Sequence, residues 1–356
     1  MKLLSLDRNE NLYGPAPACL DALRGTGMEE LSLYTRNYLH GTKSVLSERL
    51  AADTGIPERQ ILLGNGSEDL LKQAVHCYLR PGATMLLPEH SWWYYHSVAA
   101  EVEGISVRYP LRDAGDRYAY DAQPIIDLYD EHAPGVILIA SPNNPTGNSI
   151  PSETLEEVIH HCTDAVVVLD EAYHGFAGDG HERIVEFVAM HPRVIVLRTF
   201  SKFYALAGLR IGYAFVGKGL ERLITYSARY LGFNRVSESV ALAALDSTAY
   251  YSAMARQMEA DREEYYRTLA EVPGLTCYRS DANFVLVRYN PGARKEIEAT
   301  LTSRGIIVKF LSEPGLQDCL RVTLGTPEQN ALVLGAFSVS RTARLHTPIA
   351  PIPVSP

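Results

Sequence analysis

The chain has 356 residues, of which 46% are hydrophobic and 21% are charged, and its formal net charge is -9. This length predicts two domains, and the hydrophobic content excludes wholesale disorder. Because acidic side chains outnumber basic ones by 42 to 33, the chain has no general attraction for nucleic acid or for an anionic membrane surface. We therefore expect neither as a partner.

The amino terminus and the cysteines indicate a cytoplasmic protein. Residues 1–8 lose their apolar character before a signal-peptide core could form, and the longest apolar runs are far shorter than the ~20 residues that cross a bilayer. Five scattered cysteines without a Cys-x-x-Cys pair predict neither a disulfide framework nor a structural zinc site. The adjacent His160 and His161 are typical of a solvated helix end, so we expect no metal.

Between about residues 60 and 216, short β-branched runs alternate with segments of helical spacing. This pattern is typical of an α/β domain with a mainly parallel sheet covered by helices on both faces. Strands are predicted over residues 61–64, 84–88, 105–110, 135–141, 165–170, 194–200 and 210–216. Helices are predicted over residues 67–79, 123–132 and 152–162.

The pattern changes after about residue 248. A long charged helix is predicted over residues 250–272 and ends at Pro273-Gly274. Strand and helix segments follow it, which indicates a smaller α+β domain. Residues from about 341 onward are rich in proline and are expected to form a loose tail.

The most informative segment is Thr199-Phe200-Ser201-Lys202, which follows the apolar run Val194–Val196 at the end of a predicted strand. The carboxyl ends of parallel strands are where α/β proteins bind ligands. Two hydroxyls surround one lysine here, and Arg210 follows eight residues later. These groups could hold a phosphate beside an amine nucleophile.

Three further polar segments follow predicted strands and belong to the same edge of the sheet. Ser141-Pro142-Asn143-Asn144-Pro145-Thr146-Gly147 is a rigid polar loop, and Asp170-Glu171-Ala172-Tyr173 places a carboxylate at the end of an apolar strand. Such a carboxylate is costly unless it is paired. Gly64-Asn65-Gly66-Ser67-Glu68-Asp69 opens a helix whose free N–H groups attract an anion.

In these motifs and their order the chain resembles the fold-type I, pyridoxal 5'-phosphate (PLP)-dependent aminotransferases of class I/II. Within that class it is most similar to the histidinol-phosphate aminotransferases, over residues 9 to about 337. The resemblance implies a large PLP-binding domain at 40–247 with a mainly parallel sheet. It also implies a small domain that combines residues 1–39 with 248–340, and leaves 341–356 as the Pro-rich tail.

The resemblance also implies roles for individual residues. Lys202 would bind PLP as a Schiff base and transfer a proton, and Asp170 would pair with the ring nitrogen. Asn144 and Tyr173 would hydrogen-bond the 3-oxygen of the ring. The expected phosphate-binding set is Gly66, Ser67, Thr199, Ser201 and Arg210, with Glu68 as a further cofactor contact.

Two aromatic positions follow from family spacing. Trp93 would stack on the cofactor, although the run from Trp92 to Tyr95 is also typical of an aromatic core patch, and Tyr94 is a rival. Tyr38, or else Tyr34, would reach the cofactor of a partner subunit. The resemblance therefore implies a homodimer whose active sites are completed across the interface.

The expected substrates are an amino acid or amine and a 2-oxo acid, with histidinol phosphate and 2-oxoglutarate favoured. Arg321 would bind the substrate carboxylate, and Lys309 stands where the family typically has a phosphate-binding arginine. Asn283 fits the loop that lines the same pocket, although a simple strand entry explains it equally well. Tyr13 would add a substrate contact from the amino-terminal segment.

Other readings share the same motifs. An aromatic amino acid aminotransferase would carry every one of them. So would a relative from specialised metabolism that catalyses decarboxylation, elimination or cyclisation. A ligand-sensing domain of a transcription regulator is disfavoured by the acidic charge and by the lack of room for a winged helix before residue 9.

Overall fold

Two large sheets with their own helices and one two-stranded sheet make up the part of the chain that the computed structural model describes, namely residues 3–176, 187–229 and 231–344. In these ranges the strands, in chain order, are β1 (Leu4–Leu6), β2 (Ile61–Gly64), β3 (Thr84–Pro88), β4 (Ile105–Tyr109), β5 (Arg112–Asp113), β6 (Tyr118–Ala119), β7 (Val136–Ala140), β8 (Val166–Asp170), β9 (Val194–Thr199), β10 (Gly212–Val216), β11 (Leu275–Tyr278), β12 (Phe284–Tyr289), β13 (Ile306–Phe310) and β14 (Cys319–Thr323).

The helices of the same ranges are α1 (Pro17–Arg24), α2 (Met28–Ser32), α3 (Val45–Thr54), α4 (Ser67–Tyr78), α5 (Tyr94–Glu101), α6 (Ala122–His132), α7 (Ser152–His161), α8 (Glu221–Tyr226), α9 (Arg235–Asp246), α10 (Thr248–Ala270), α11 (Arg294–Ser303) and α12 (Pro327–Arg344). Short 3₁₀ segments lie at Asn37–His40, Glu58–Gln60 and Ala207–Leu209. The strands and helices predicted from the sequence are confirmed and differ only at their ends.

The larger sheet has the strand order β2-β10-β9-β8-β7-β3-β4. All neighbours in it are parallel except β10, which is antiparallel to both β2 and β9. Alternate side chains of the sheet enter two cores, one shared with α1, α3, α6, α7 and α9 and the other with α4, α5 and α8. The predicted α/β domain with helices on both faces is therefore confirmed.

The smaller sheet has the order β1-β13-β14-β12-β11 and packs against α11, α12 and the second half of α10. Its edge strand β1 comes from the amino terminus and pairs with β13 in parallel. The 23-residue helix α10 contributes its first half to the core of the larger sheet and thus joins the two layers.

Two segments differ from the expected pattern. The first forty residues lack periodicity, yet they contain α1 and α2, and Pro17 begins α1 because proline is favoured in a first helical turn. Helix α12 continues to Arg344, past residue 341 where we expect the tail to begin. Residues 345–356 lie outside the described residues.

Candidate active site

A cleft of about 570 Å³ lies between the carboxyl ends of the large-sheet strands and the small sheet. It is lined by residues from eight separate parts of the chain, among them Asp7, Ser67, Asp170, Lys202 and Arg321. Because β2, β7, β8 and β9 run in one direction, the polar segments that follow them meet at this edge. The volume lies within the ~300–1,000 Å³ of small-molecule sites.

Asp170 ends β8 and is buried in the wall of the cleft. Its Oδ2 accepts a hydrogen bond from the Tyr95 hydroxyl at 2.9 Å, and its Oδ1 accepts one from the Ala172 N–H at 3.0 Å. Burial raises the pKa of the carboxyl group to about 6, and the two hydrogen bonds oppose that rise. At neutral pH Asp170 is a carboxylate that can pair with a cationic N–H group.

Lys202 lies in the same cleft, three residues beyond the end of β9. Loss of hydration and the charge of Arg321 together lower the pKa of its amine to about 8, and the carboxylate of Glu10 opposes this shift. About a tenth of such amines are neutral at pH 7, roughly 300 times the fraction for an amine with a pKa of 10.5. Lys202 is therefore suited to act as a nucleophile and as a proton carrier.

Tyr173 is held by the amino-terminal segment. The side-chain amide of Asn9 donates to the Tyr173 hydroxyl oxygen at 2.8 Å, and the carbonyl of the neighbouring Arg8 accepts a hydrogen bond from Lys202 at 3.2 Å. Asn9 has a positive φ of 54° and is anchored by a 3.0 Å bond from its N–H to Thr323. Since Asn9 uses the oxygen of Tyr173, the hydroxyl proton of Tyr173 remains for a ligand in the cleft.

An anion-binding corner lies at the amino end of α4. Gly66 precedes the helix with a φ of 86°, and Ser201 lies between Thr199 at 2.9 Å and Arg210 at 3.4 Å. Arg210 also lies 3.6 Å from Glu68. The free N–H groups of α4, two hydroxyls and a guanidinium thus converge, which is the donor set of a phosphate site.

Glycines keep this corner open to a ligand. A Cβ atom at Gly66 would lie 2.5 Å from Nη2 of Arg210, and one at Gly212 would lie 2.1 Å from the carbonyl carbon of Gly66 and 2.3 Å from the N–H of Ser67. Only glycine allows β10 to approach the loop this closely. Together with the buried carboxylate and the lysine of the cleft, the corner fits the phosphate, ring nitrogen and aldehyde of PLP.

Arg321 projects from β14 into the opposite wall of the cleft and is largely buried. Its guanidinium donates to the side-chain oxygen of Asn144 and, at 2.6 Å, to the carbonyl of Asp7. Among the described residues no carboxylate forms an ion pair with it, and its Nε is buried without an acceptor. A cation held in this way is ready for the carboxylate or phosphate of a ligand.

Lys309 lies in the same cleft, next to Arg321. The two residues are Cα partners across the antiparallel strands β13 and β14, so their side chains share one face of the small sheet. Lys309 is exposed, and in the described ranges it has neither a hydrogen bond nor an ion pair. Like charges directly opposite each other are destabilising, and an anion between them would relieve this repulsion.

Of the two aromatic residues predicted to contact the cofactor, Trp93 lies at the cleft and Tyr38 does not. Trp93 lines the cleft and is 67% exposed, while Tyr95 of the same aromatic run also lines it and is buried. Tyr38, on a 3₁₀ segment, lies outside the cleft of its own chain and is 41% exposed.

Tyr13 and Asn283 are corrections to the predicted substrate contacts, because the structure does not bring either of them to the cleft wall. The Tyr13 hydroxyl donates to Asp261 of α10 at 2.6 Å. Asn283 is fully buried, and its amide donates to the carbonyl of Asn9 at 3.2 Å. Both side chains secure the amino-terminal segment instead.

Sequence reasoning missed two residues that contact the site, Asn9 and Tyr95. Asn9 stands in the polar run Asn9-Glu10-Asn11, and Tyr95 in an aromatic run that is equally typical of a core. The isolated polar run before the first helix was the one usable signal.

No described group of three or more His, Cys, Asp or Glu residues could hold a metal ion, and no helix of the described ranges is long and apolar enough to span a membrane.

Comparison with known proteins agrees with this geometry. A family model described as "Aminotransferase class I and II" matches residues 1–337. The curated histidinol-phosphate aminotransferases of Ruminiclostridium cellulolyticum and Bacillus velezensis are 33% and 34% identical to the chain; the alignments cover 93% and 94% of this chain and 90% of each relative.

Solved structures give the same result. The crystal structure of histidinol-phosphate aminotransferase from Sinorhizobium meliloti in complex with pyridoxal-5'-phosphate superimposes with a TM-score of 0.85 at 26% identity, covering 96% of this chain and 92% of that one. A family match over residues 1–337, a cleft with the donors that PLP needs and relatives a third identical lead to one conclusion. The chain belongs to the class I and II aminotransferases and is a PLP-dependent aminotransferase.

Proposed function

We propose that this aminotransferase takes the amino group of histidinol phosphate and transfers it to 2-oxoglutarate. The observation that carries the proposal is the pair of adjacent cations, Arg321 and Lys309, on one face of the small sheet. Two cations side by side suit a phosphate dianion and also suit the carboxylates of an oxo acid. The curated relatives that bear the name histidinol-phosphate aminotransferase support this choice.

The large-domain residues hold the cofactor in this proposal. When bound, PLP supplies a conjugated cationic ring that withdraws electrons from the bonds at the substrate α-carbon. Asp170 holds the ring nitrogen by a charge-assisted hydrogen bond, and the corner around Gly66, Ser67 and Arg210 holds the phosphate. The amine of Lys202 would be the covalent attachment point for PLP, and as a free amine it would accept a proton from the substrate α-carbon.

The other wall orients the ligands. Tyr173, whose oxygen accepts from Asn9, would donate its hydroxyl proton to the 3-oxygen of the ring. Asn144, whose side-chain oxygen accepts from Arg321, would donate its amide to the same atom. Trp93 lines the cleft and would stack on the ring. Arg321 binds the substrate anion bidentately, and Lys309 adds a point charge to the phosphate.

A second copy of the chain completes the site in the same proposal. Large apolar side chains are exposed together along the amino-terminal arm, namely Leu20, Leu23, Met28, Leu31, Leu33, Tyr34 and Tyr38. Exposed apolar surface of this kind is typical of an interface. We propose a homodimer in which Tyr38 contacts the cofactor phosphate of the partner site. Five free thiols fit a reducing compartment such as the cytoplasm.

The substrate proposal is tested by mixing the holoenzyme with single amino donors and 2-oxoglutarate and measuring glutamate. We expect histidinol phosphate to be the best donor, and Lys309→Met to raise its KM roughly tenfold, while the KM of unphosphorylated histidinol changes little. Lys309→Arg is the charge-preserving control. A preference for tyrosine or phenylalanine would contradict the proposal in favour of an aromatic aminotransferase. Release of CO2, ammonia or a cyclised product without an oxo acid would indicate diverted chemistry.

A further inference from the structure

Tyr95 is a buried residue of α5 that none of the roles above uses. It is 4% exposed, its ring forms part of the cleft wall, and its hydroxyl donates to Oδ2 of Asp170 at 2.9 Å. Its ring also contacts Trp92 edge-on, with the ring centres 5.6 Å apart. The ring is thus packed in place, and its hydroxyl points at the carboxylate.

The partner of this hydroxyl sets Tyr95 apart from two other buried tyrosines of the large domain. The hydroxyls of Tyr109 and Tyr120 donate to the backbone carbonyls of Leu138 and Ala140. Those bonds satisfy a neutral donor and a neutral acceptor. Tyr95 instead donates to an ion, and hydrogen bonds to charged groups are roughly twice as strong as neutral ones.

Asp170 has one donor on each oxygen, the Tyr95 hydroxyl on Oδ2 and the Ala172 N–H on Oδ1. In the described part of the chain Tyr95 is the one side chain that donates to it. The neighbouring carboxylate of Glu171 lies 2.7 Å from Arg198, which compensates its charge. The orientation and the negative charge of Asp170 therefore depend on a single side-chain donor.

We propose that Tyr95 is a positioning residue that sets, through Asp170, how tightly the protein binds the ring nitrogen of PLP. The inference rests on the proposed role of Asp170. Removing the hydroxyl takes away a donor that favours the carboxylate over the carboxylic acid and leaves Oδ2 free to rotate away. Either change weakens the pairing of Asp170 with a protonated ring nitrogen and leaves the phosphate corner untouched.

The test compares Tyr95→Phe with the wild-type protein for two probes, PLP and 1-deazapyridoxal 5'-phosphate, in which CH replaces the ring nitrogen. We expect Tyr95→Phe to weaken PLP binding roughly tenfold, the effect of losing one hydrogen bond to a charged group, and to leave the affinity for the deaza compound within about twofold. Tyr109→Phe is the matched control, because it removes a hydroxyl that is equally buried and should affect neither probe. Equal weakening of both probes by Tyr95→Phe would overturn the proposal.

Asp170→Asn separates this inference from the proposed role of Asp170. If Asp170→Asn does not distinguish the two probes, the role of Asp170 fails. If Asp170→Asn distinguishes them and Tyr95→Phe does not, only the role of Tyr95 fails. In the double variant, Tyr95→Phe should weaken PLP binding by less than about twofold beyond the weakening that Asp170→Asn causes alone. Should Tyr95→Phe not fold, Tyr95→His keeps a donor and should retain the preference for PLP; loss of that preference would contradict the proposal.

Discussion

Asp170→Asn should make the folded apoenzyme less sensitive to pH, because the native carboxylate is buried at a cost. Burial raises its pKa from 3.8 to about 6, so the folded chain binds this proton more tightly than the unfolded chain does. The free energy of unfolding therefore falls as the pH rises through this window. The rise in pKa corresponds to ~3 kcal/mol of stability that is lost between about pH 4 and pH 6.

The change to asparagine removes this loss, since an amide does not ionise. The groups that face Asp170, namely Tyr95 from α5 and the pair Glu171–Arg198, are the same in both proteins. Burying the asparagine amide changes the free energy of unfolding by the same amount at every pH. This change therefore cancels when the difference between variant and wild type is compared at two pH values. We therefore expect the stability of Asp170→Asn minus that of the wild type to increase by ~3 kcal/mol from below pH 4 to above pH 6.

The assay is urea unfolding of both apoproteins across this pH range, followed by circular dichroism. Asp127→Asn, which removes an exposed aspartate of α6, is the matched control. A stability difference that stays flat or falls with pH would refute the reasoning that Asp170 is held as a costly buried carboxylate.

Three further predictions concern the rest of the site. Gly212→Ala should weaken PLP binding at least tenfold, measured by fluorescence titration, because the new Cβ would lie 2.1 Å from the carbonyl carbon of Gly66. The rate at which the apoenzyme takes up PLP, followed by the absorbance of the imine, should rise with pH and level off above about pH 8, as the Lys202 amine loses its proton. Lys202→Ala should not form the imine absorbance at any pH. Arg321→Lys should make the enzyme require roughly ten times more of the oxo acid for half-maximal rate in steady-state assays, because a lysine keeps the charge and loses the bidentate fork.

The residues that follow the parallel strands could be predicted from the sequence. Asp170 ends one apolar β-branched strand and Lys202 lies three residues beyond another, and parallel strands place such residues at one edge of a sheet. The anion site at Gly66 could also be predicted from the sequence, because a glycine between a strand and a helix leaves the N–H groups of the helix free for an anion. These inferences need only local patterns and one rule of topology.

The partners of those residues could not be predicted. Asn9 contacts Tyr173 across 164 positions of the chain, and Tyr95 contacts Asp170 across 75. Nothing in the local sequence of Tyr95 distinguishes it from its aromatic neighbours, and nothing near Tyr13 in the sequence indicates that its hydroxyl donates to Asp261 of α10. Pairings of this kind depend on how helices and strands distant in sequence pack together.

The sequence by itself therefore determined the class of fold and the polar strand ends, because period and strand-end position are local properties, while the cofactor and the residue roles follow from the family resemblance. The tertiary structure alone decided which side chains hold these groups in place. It also decided that Lys309 faces Arg321, because only the antiparallel register of β13 and β14 brings the two cations to one face of the small sheet.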